Sequence, residues 1–134
     1  MQIAGIRINM AFNFANEVNT YFKKTVNSGR LKKLYNNGKS TTATSGTCVY
    51  ALYLNGKLKK IGKAVYGKGL FTRMSQYYRL TKEGCKKISN LNKNNIQVEY
   101  FFLNKNDCWY VERKLQSLAW EQGETQPWED KTRN

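Results

Sequence analysis

Histidine is absent from this chain of 134 residues. Its absence excludes the Ser-His and Cys-His nucleophile arrangements and the usual imidazole general base, so any catalysis has to use tyrosine, lysine, arginine and carboxylate side chains. Cys48, Cys85 and Cys108 are odd in number and lack CxxC spacing, and with no histidine beside them they do not form a zinc motif. We therefore expect unpaired thiols in a reducing, cytoplasmic setting.

Acidic residues and long apolar runs are also scarce. Nine Asp and Glu stand against 23 Lys and Arg, which gives a net charge of +14 at pH 7. This excess predicts a polyanionic partner, nucleic acid before an anionic membrane surface. No apolar run approaches the roughly 20 residues that span a bilayer, and the opening MQIAGIRINMAF is too short and interrupted for a signal peptide. We expect no membrane partner.

The first third of the chain has a helical pattern. Apolar residues at Phe14, Val18 and Phe22 are close to helical spacing, NSG then interrupts the pattern, and RLKKLY suggests a short basic helix. The following NNGKSTTATSGT has the composition of a flexible linker. We predict that residues 1–45 form an N-terminal helical arm with its linker and that residues 46–134 form the body.

The body begins with a predicted β-hairpin. CVYALYL and LKKIGKA flank Asn55-Gly56, two residues that tolerate the positive φ of a type I′ turn. Counting back from this turn places Tyr50 nearly opposite Ile61 and diagonal to Lys60. The register stays open by one residue, so the two polar side chains can share one face of the sheet, although an ordinary polar-faced hairpin would look the same.

The remaining pattern gives the fold class. LFTRMSQYYRLTKEG predicts a helix that stops at Gly84, IQVEYFFL predicts a strand, and NDCWYVERKLQSLAWEQG predicts a helix capped by Asn106 or Asp107 and ended by Gly123. The order β, β, α, β, α predicts an α/β (α+β) domain with a small three-stranded, antiparallel-rich sheet flanked by helices.

These segments resemble the GIY-YIG nuclease family. CVY at 48–50 stands where the family has Gly-Ile-Tyr, and KIG at 60–62 stands where it has Tyr-Ile-Gly. TRMSQYYR is similar to the arginine helix of the nuclease domain in bacterial excision-repair incision proteins. The resemblance covers roughly residues 46–130 and implies the GIY-YIG fold and phosphodiester hydrolysis.

The resemblance also implies a set of catalytic residues. Tyr50 matches the first motif tyrosine, and Arg73 matches the catalytic arginine. Tyr77, one helical turn later, matches a family tyrosine or histidine, and Glu112 matches the glutamate that holds one Mg²⁺ or Mn²⁺ ion. Taken singly, Arg73 also fits a surface cation, Glu112 a solvated helix position, and Tyr77 a core residue.

Two positions depart from the family pattern. Lys60 replaces the second motif tyrosine, and Glu129, in PWED, holds the position of the terminal asparagine. Neutral Lys60 or Tyr50 would accept the proton of the attacking water, with a slight preference for Lys60. The residues expected to contact nucleic acid are Lys59, Lys63, Lys68 and Arg79.

The implied function is a divalent-metal-dependent endonuclease that cuts double-stranded DNA, of a small restriction or phage type. A homodimer is an option, because cutting both strands with one site per chain usually requires two chains or a second encounter. The alternative is a catalytically inactive nucleic-acid-binding protein on the same scaffold. A basic interaction domain without nucleic acid is a third reading.

Overall fold

A computed structural model of the chain describes residues 12–129. Within this range the fold consists of four α-helices and one four-stranded antiparallel sheet. The elements in chain order are α1 (Phe14–Phe22), β1 (Asn27–Arg30), α2 (Leu31–Tyr35), β2 (Cys48–Leu54), β3 (Lys57–Ala64), α3 (Leu70–Tyr78), β4 (Ile96–Phe102) and α4 (Lys105–Glu121). The α+β class is confirmed, but the prediction of three strands was wrong by one.

The additional strand is β1, in a segment that we expected to be a break between two helices. Its sequence, NSGR, has the composition of a turn. β1 pairs antiparallel with β4, with Asn27 opposite Tyr100 and Arg30 opposite Gln97. Pairing with a distant strand, and not local propensity, makes this segment extended, because strand formation depends strongly on context.

The predicted hairpin is confirmed, with one shift in register. Asn55 and Gly56 have φ values of 53° and 77°, as a type I′ turn requires. Pairing next to the turn follows the predicted register, but an irregularity of the β-bulge kind then shifts it by one residue. Tyr50 consequently lies opposite Gly62 and not opposite Ile61.

The two helices of the body differ slightly from prediction. α3 ends at Tyr78 and does not continue to Gly84, because the chain turns into a loop directly after it. α4 begins at Lys105, just before the predicted cap at Asn106 or Asp107, and ends, as predicted, shortly before Gly123. Over residues 12–129, no helix combines the length and the apolarity needed to cross a membrane.

The strands lie in the order β1-β4-β2-β3. Helices cover both faces of this sheet, and each face has its own core. α1 and α4 pack on one face, where Phe14 and Val18 are fully buried. α2 and α3 pack on the other face, where Leu31 and Leu34 are buried. The division of the chain at residue 45 stays a prediction; in the described residues, the segment before it contributes to both cores.

We expect Phe14→Ala to lower the free energy of unfolding by about 3–5 kcal/mol, as truncation of a buried aromatic ring does. The Phe14 side chain is fully buried, and its ring centroid lies 6.1 Å from that of Phe101. The matched control is Tyr21→Ala on the same helix, where the side chain is 49% exposed and the expected loss is about 1 kcal/mol or less. Guanidinium titration measures both. Equal small losses would show that α1 does not belong to the cooperative unit.

Candidate active site

The residues predicted to be catalytic meet at the edge of the sheet formed by β3. A cavity of about 350 Å³ lies there, and Tyr50, Lys60, Arg73 and Glu112 line it. The fifth residue, Tyr77, contacts both Tyr50 and Arg73. Because β3 is an edge strand, side chains from helices on both faces of the sheet can reach around it to this one cavity.

Tyr50, Tyr77 and Arg73 form a compact cluster. The hydroxyls of Tyr50 and Tyr77 are hydrogen-bonded to each other, and both side chains are fully buried. The guanidinium carbon of Arg73 lies 4.7 Å from the centroid of the Tyr77 ring. Arg73 and Tyr77 are four residues apart on α3, the spacing that places two side chains on one helix face.

The cluster has unusual electrostatics. Burial raises the pKa of the Tyr50 hydroxyl well above its usual value, and Tyr77 adds to the rise while Arg73 opposes it. Burial lowers the pKa of the Arg73 guanidinium, but the hydroxyls of Tyr50 and Tyr77 more than offset this and raise it overall. Tyr50 is therefore a neutral phenol at neutral pH, and Arg73 is a permanent cation beside it.

Two acceptors orient the Arg73 guanidinium. Its Nη1 donates to Oε1 of Gln76 at 2.8 Å and to the backbone oxygen of Glu83 at 2.6 Å. Gln76 was not among the predicted site residues, although its position three residues after Arg73 was a usable signal. The carbonyl of Glu83 is placed by the loop that follows α3, for which the sequence offers no comparable signal.

Gly62 provides the space that the Tyr50 hydroxyl occupies. A Cβ atom built on Gly62 would lie 2.5 Å from that hydroxyl oxygen and 2.7 Å from the ring carbon that carries it. No side chain fits there without displacing Tyr50. The position of Tyr50 in this fold therefore requires a glycine at the end of the KIG motif.

Lys60 lies on the same face of the sheet as Tyr50, as predicted, because it is two residues from Gly62 on β3. Its Nζ donates to Oε1 of Glu129 at 3.0 Å, and the Lys60 side chain is 11% exposed. The segment that carries Glu129 is fastened to β3, since the backbone N–H of Trp128 donates to the backbone oxygen of Lys59 at 3.0 Å. Lys60 is thus ion-paired with the segment that follows α4.

Glu112 reaches the cavity from α4, on the opposite face of the sheet from α3. It is 1% exposed, and its Oε1 accepts a hydrogen bond from Nζ of Lys63 at 3.2 Å. Lys63 Nζ also lies 5.0 Å from the centroid of the Trp109 ring. Lys63 was predicted to contact nucleic acid; its ion pair with Glu112 was not predicted.

Glu112 is the residue that would hold a divalent cation. A carboxylate oxygen and a cavity with room for several water molecules fit Mg²⁺, which prefers oxygen ligands and keeps most of its water. The Lys63 ammonium would have to give up Oε1 of Glu112 to the ion. Across residues 12–129, no three His, Cys, Asp or Glu side chains gather into a metal-binding group. The donor set therefore fits a largely hydrated ion.

The other predicted nucleic-acid contacts lie outside the cavity lining. Lys59 is at the irregular register step of β3, and Lys68 donates from Nζ to Oγ of Ser40 at 2.9 Å. Arg79 is exposed at the end of α3. Only Lys63 of the four predicted contacts lines the described cavity.

Comparisons of the chain with protein-family models, with curated proteins and with solved structures found no match. The resemblance to GIY-YIG nucleases therefore stays a hypothesis, to be argued from the residues and from the geometry given above.

We expect Gly62→Ala to destabilise the fold by about 1–3 kcal/mol, the usual cost of overfilling a packed site. The matched control is Gly29→Ala in β1, where the added Cβ would meet Leu34 at 3.7 Å, an ordinary contact. In a Tyr50→Phe background the cost of Gly62→Ala should fall, because the nearest atom has been removed. Denaturant titration of the four variants measures this coupling. An unchanged cost in the Tyr50→Phe background would contradict the packing argument.

Proposed function

We propose that this chain is a divalent-metal-dependent endonuclease of the GIY-YIG type that hydrolyses phosphodiester bonds of DNA. The observation that carries the proposal is that Arg73 and Glu112, from helices on opposite faces of the sheet, line one cavity with Tyr50, whose hydroxyl is hydrogen-bonded to Tyr77. A partly buried arginine and a fully buried carboxylate are costly to maintain for packing alone. The arginine suits a reaction in which negative charge develops on a phosphate, and the carboxylate suits one that needs a bound cation beside that charge.

Each side chain has a role in that reaction. The planar fork of Arg73 binds the non-bridging oxygens of the scissile phosphate and neutralises the charge that grows on them in the transition state. As the bond from the attacking water to phosphorus forms, the water gives up a proton and the bond from phosphorus to the 3′ oxygen breaks. A bound Mg²⁺ or Mn²⁺ ion, held by Glu112, would supply charge stabilisation at the leaving oxygen.

The contact between Lys60 and Glu129 bears on the choice of base. The sequence slightly favoured neutral Lys60, but a lysine that is ion-paired at 3.0 Å is best suited to act as a cation that holds the phosphate or the water. We therefore assign proton acceptance to Tyr50, with Tyr77 supporting it through the shared hydrogen bond. Because the Tyr50 pKa is raised, the phenolate fraction, and with it the rate, should increase with pH.

The basic surface would supply most of the affinity for double-stranded DNA. A contact set of about six phosphates gives a slope near −5 when the logarithm of the binding constant is plotted against that of salt concentration. The chain would act in the cytoplasm as a small restriction or phage enzyme. It would cut both strands as a homodimer or in two encounters.

A second candidate is a nucleic-acid-binding protein on this scaffold that does not cut. The observation in its favour is that Glu112 and Glu129 each accept a hydrogen bond from a lysine, Lys63 and Lys60 respectively. In this candidate the ion pairs are permanent and Glu112 does not take up a metal ion. Metal-dependent cleavage separates the two.

We expect the purified protein to nick supercoiled plasmid with Mg²⁺ and not with EDTA. Arg73→Ala and Glu112→Gln should each lower the single-turnover rate at least 10²–10³-fold, the usual effect of losing a charge partner of the transition state. DNA affinity in EDTA should fall much less, because the basic surface remains.

The matched controls for these variants are Arg79→Ala, just past α3, and Glu121→Gln at the exposed end of α4. Both should cut within a few-fold of the parental rate at saturating protein. Absence of nicking at every divalent-ion concentration would exclude the enzyme and leave the binding protein. Parental rates in Arg73→Ala or Glu112→Gln would show that the site has been assigned to the wrong residues.

We expect Lys60→Arg to cut with the parental pH profile, because arginine keeps the positive charge and can retain the contact with Glu129. Lys60→Met should weaken binding modestly and leave the profile unchanged, whereas Tyr50→Phe should remove the alkaline rise in rate. The measurement is single-turnover cleavage against pH for the three variants. Loss of the rise in Lys60→Arg, with the rise intact in Tyr50→Phe, would identify Lys60 as the base instead.

A further inference from the structure

Two exposed aromatic side chains lie beside the cavity. Tyr66, in the loop between β3 and α3, is 72% exposed and lines the cavity. Trp109, on α4, is 41% exposed. Single exposed aromatics are common on protein surfaces. Exposed Tyr21 also has a lysine near its ring. Tyr66 and Trp109 differ because Tyr66 lines the cavity itself and the lysine beside Trp109, Lys63, lines it too.

Two ring–lysine pairs, linked by one face of α4, lead to Glu112. Lys105 Nζ lies 5.3 Å from the Tyr66 ring centroid, and Lys63 Nζ lies 5.0 Å from the Trp109 ring centroid. Lys105 and Trp109 are four residues apart on α4 and so share a helix face. We call Tyr66, Lys105, Trp109 and Lys63 the aromatic-lysine row. Its last lysine is the hydrogen-bond donor to the carboxylate of Glu112.

Alternating rings and cations match the chemistry of one nucleic-acid strand. Aromatic rings stack on bases, a contact available to every base because each has a π face, while lysines follow the phosphates. In a paired duplex the base faces are covered by neighbouring bases. A protein ring therefore reaches a base face where the nucleotide is unpaired or turned out of the helix.

We propose that Tyr66 and Trp109 form a stacking platform for an unpaired base next to the scissile phosphate, so that the preferred substrate is DNA with an unpaired or extruded nucleotide at the cut. The position of the phosphate in this proposal rests on the proposed nuclease function. The stacking itself does not, because a protein that binds without cutting would use the same platform.

The test compares two probes with equal phosphate charge in EDTA. One is an oligothymidine strand of about twelve nucleotides, within the usual range of single-strand site sizes; the other has the same length with abasic central positions. The parental protein should bind the thymidine strand about tenfold more tightly, since stacking one base contributes about 1–3 kcal/mol. Tyr66→Ala and Trp109→Ala should each lower the affinity for the thymidine strand about tenfold and the affinity for the abasic strand little. Tyr66→Phe should keep the parental affinity for both strands.

Tyr110→Ala is the matched control. Tyr110 is 66% exposed and neighbours Trp109 on α4, but it lines a different depression, together with Phe102 and Leu103. The Tyr110→Ala variant should bind both probes as tightly as the parental protein does. Equal parental affinity for the two probes, or equal losses in Tyr66→Ala and Tyr110→Ala, would overturn the platform.

Plasmid nicking by the parental protein separates this proposal from the proposed function. A protein that nicks but does not distinguish the probes contradicts the platform and leaves the nuclease standing. A protein that distinguishes the probes but never nicks contradicts the nuclease and leaves the platform standing. A duplex with one unpaired thymidine should also bind the parent several-fold more tightly than the fully paired duplex, and equal binding there would contradict the substrate preference.

Discussion

The close approach of the Tyr50 hydroxyl to Gly62 is the constraint on which the site depends. Tyr50 can point across β3 toward α3 only because Gly62 has no side chain. Once buried, its hydroxyl needs a hydrogen-bond partner, and Tyr77 provides one. That bond fixes the face of α3 that meets the sheet, and the same face carries Arg73. The absence of a side chain at Gly62 on β3 thus determines where α3 places Arg73.

The edge position of β3 explains how charges from two layers come together. Lys60 and Lys63 are three residues apart on this strand, so their side chains leave it on opposite faces. Lys60 meets Glu129 of the C-terminal segment, and Lys63 meets Glu112 of α4. In a central strand these two faces would be separated by the sheet. At an edge they open onto one cavity, so charged groups that have partners on both faces can line the same space.

Much of this arrangement was predictable because it depends on short-range spacing. The Asn55-Gly56 turn fixes the hairpin and the pairing next to it, and the four-residue step on α3 brings Arg73 to Tyr77. The parts that were missed depend on distant partners. β1 is extended because β4 pairs with it. The register step brings Gly62 opposite Tyr50 and so places Lys60 on the same face as Tyr50. The Lys63 contact with Glu112 joins a strand to a helix 49 residues away.

The distribution of charge separates affinity from chemistry. The chain carries +14, yet the cavity is lined by three cations, Lys60, Lys63 and Arg73, against the two carboxylates of Glu83 and Glu112. Most of the excess charge therefore lies outside the cavity, where salt screens it over about 8–10 Å at ordinary ionic strength. Buried groups such as Glu112 are screened far less. In the proposed nuclease, salt would thus weaken DNA binding steeply and leave the cleavage step of the bound complex nearly unchanged, because the two depend on different sets of charges.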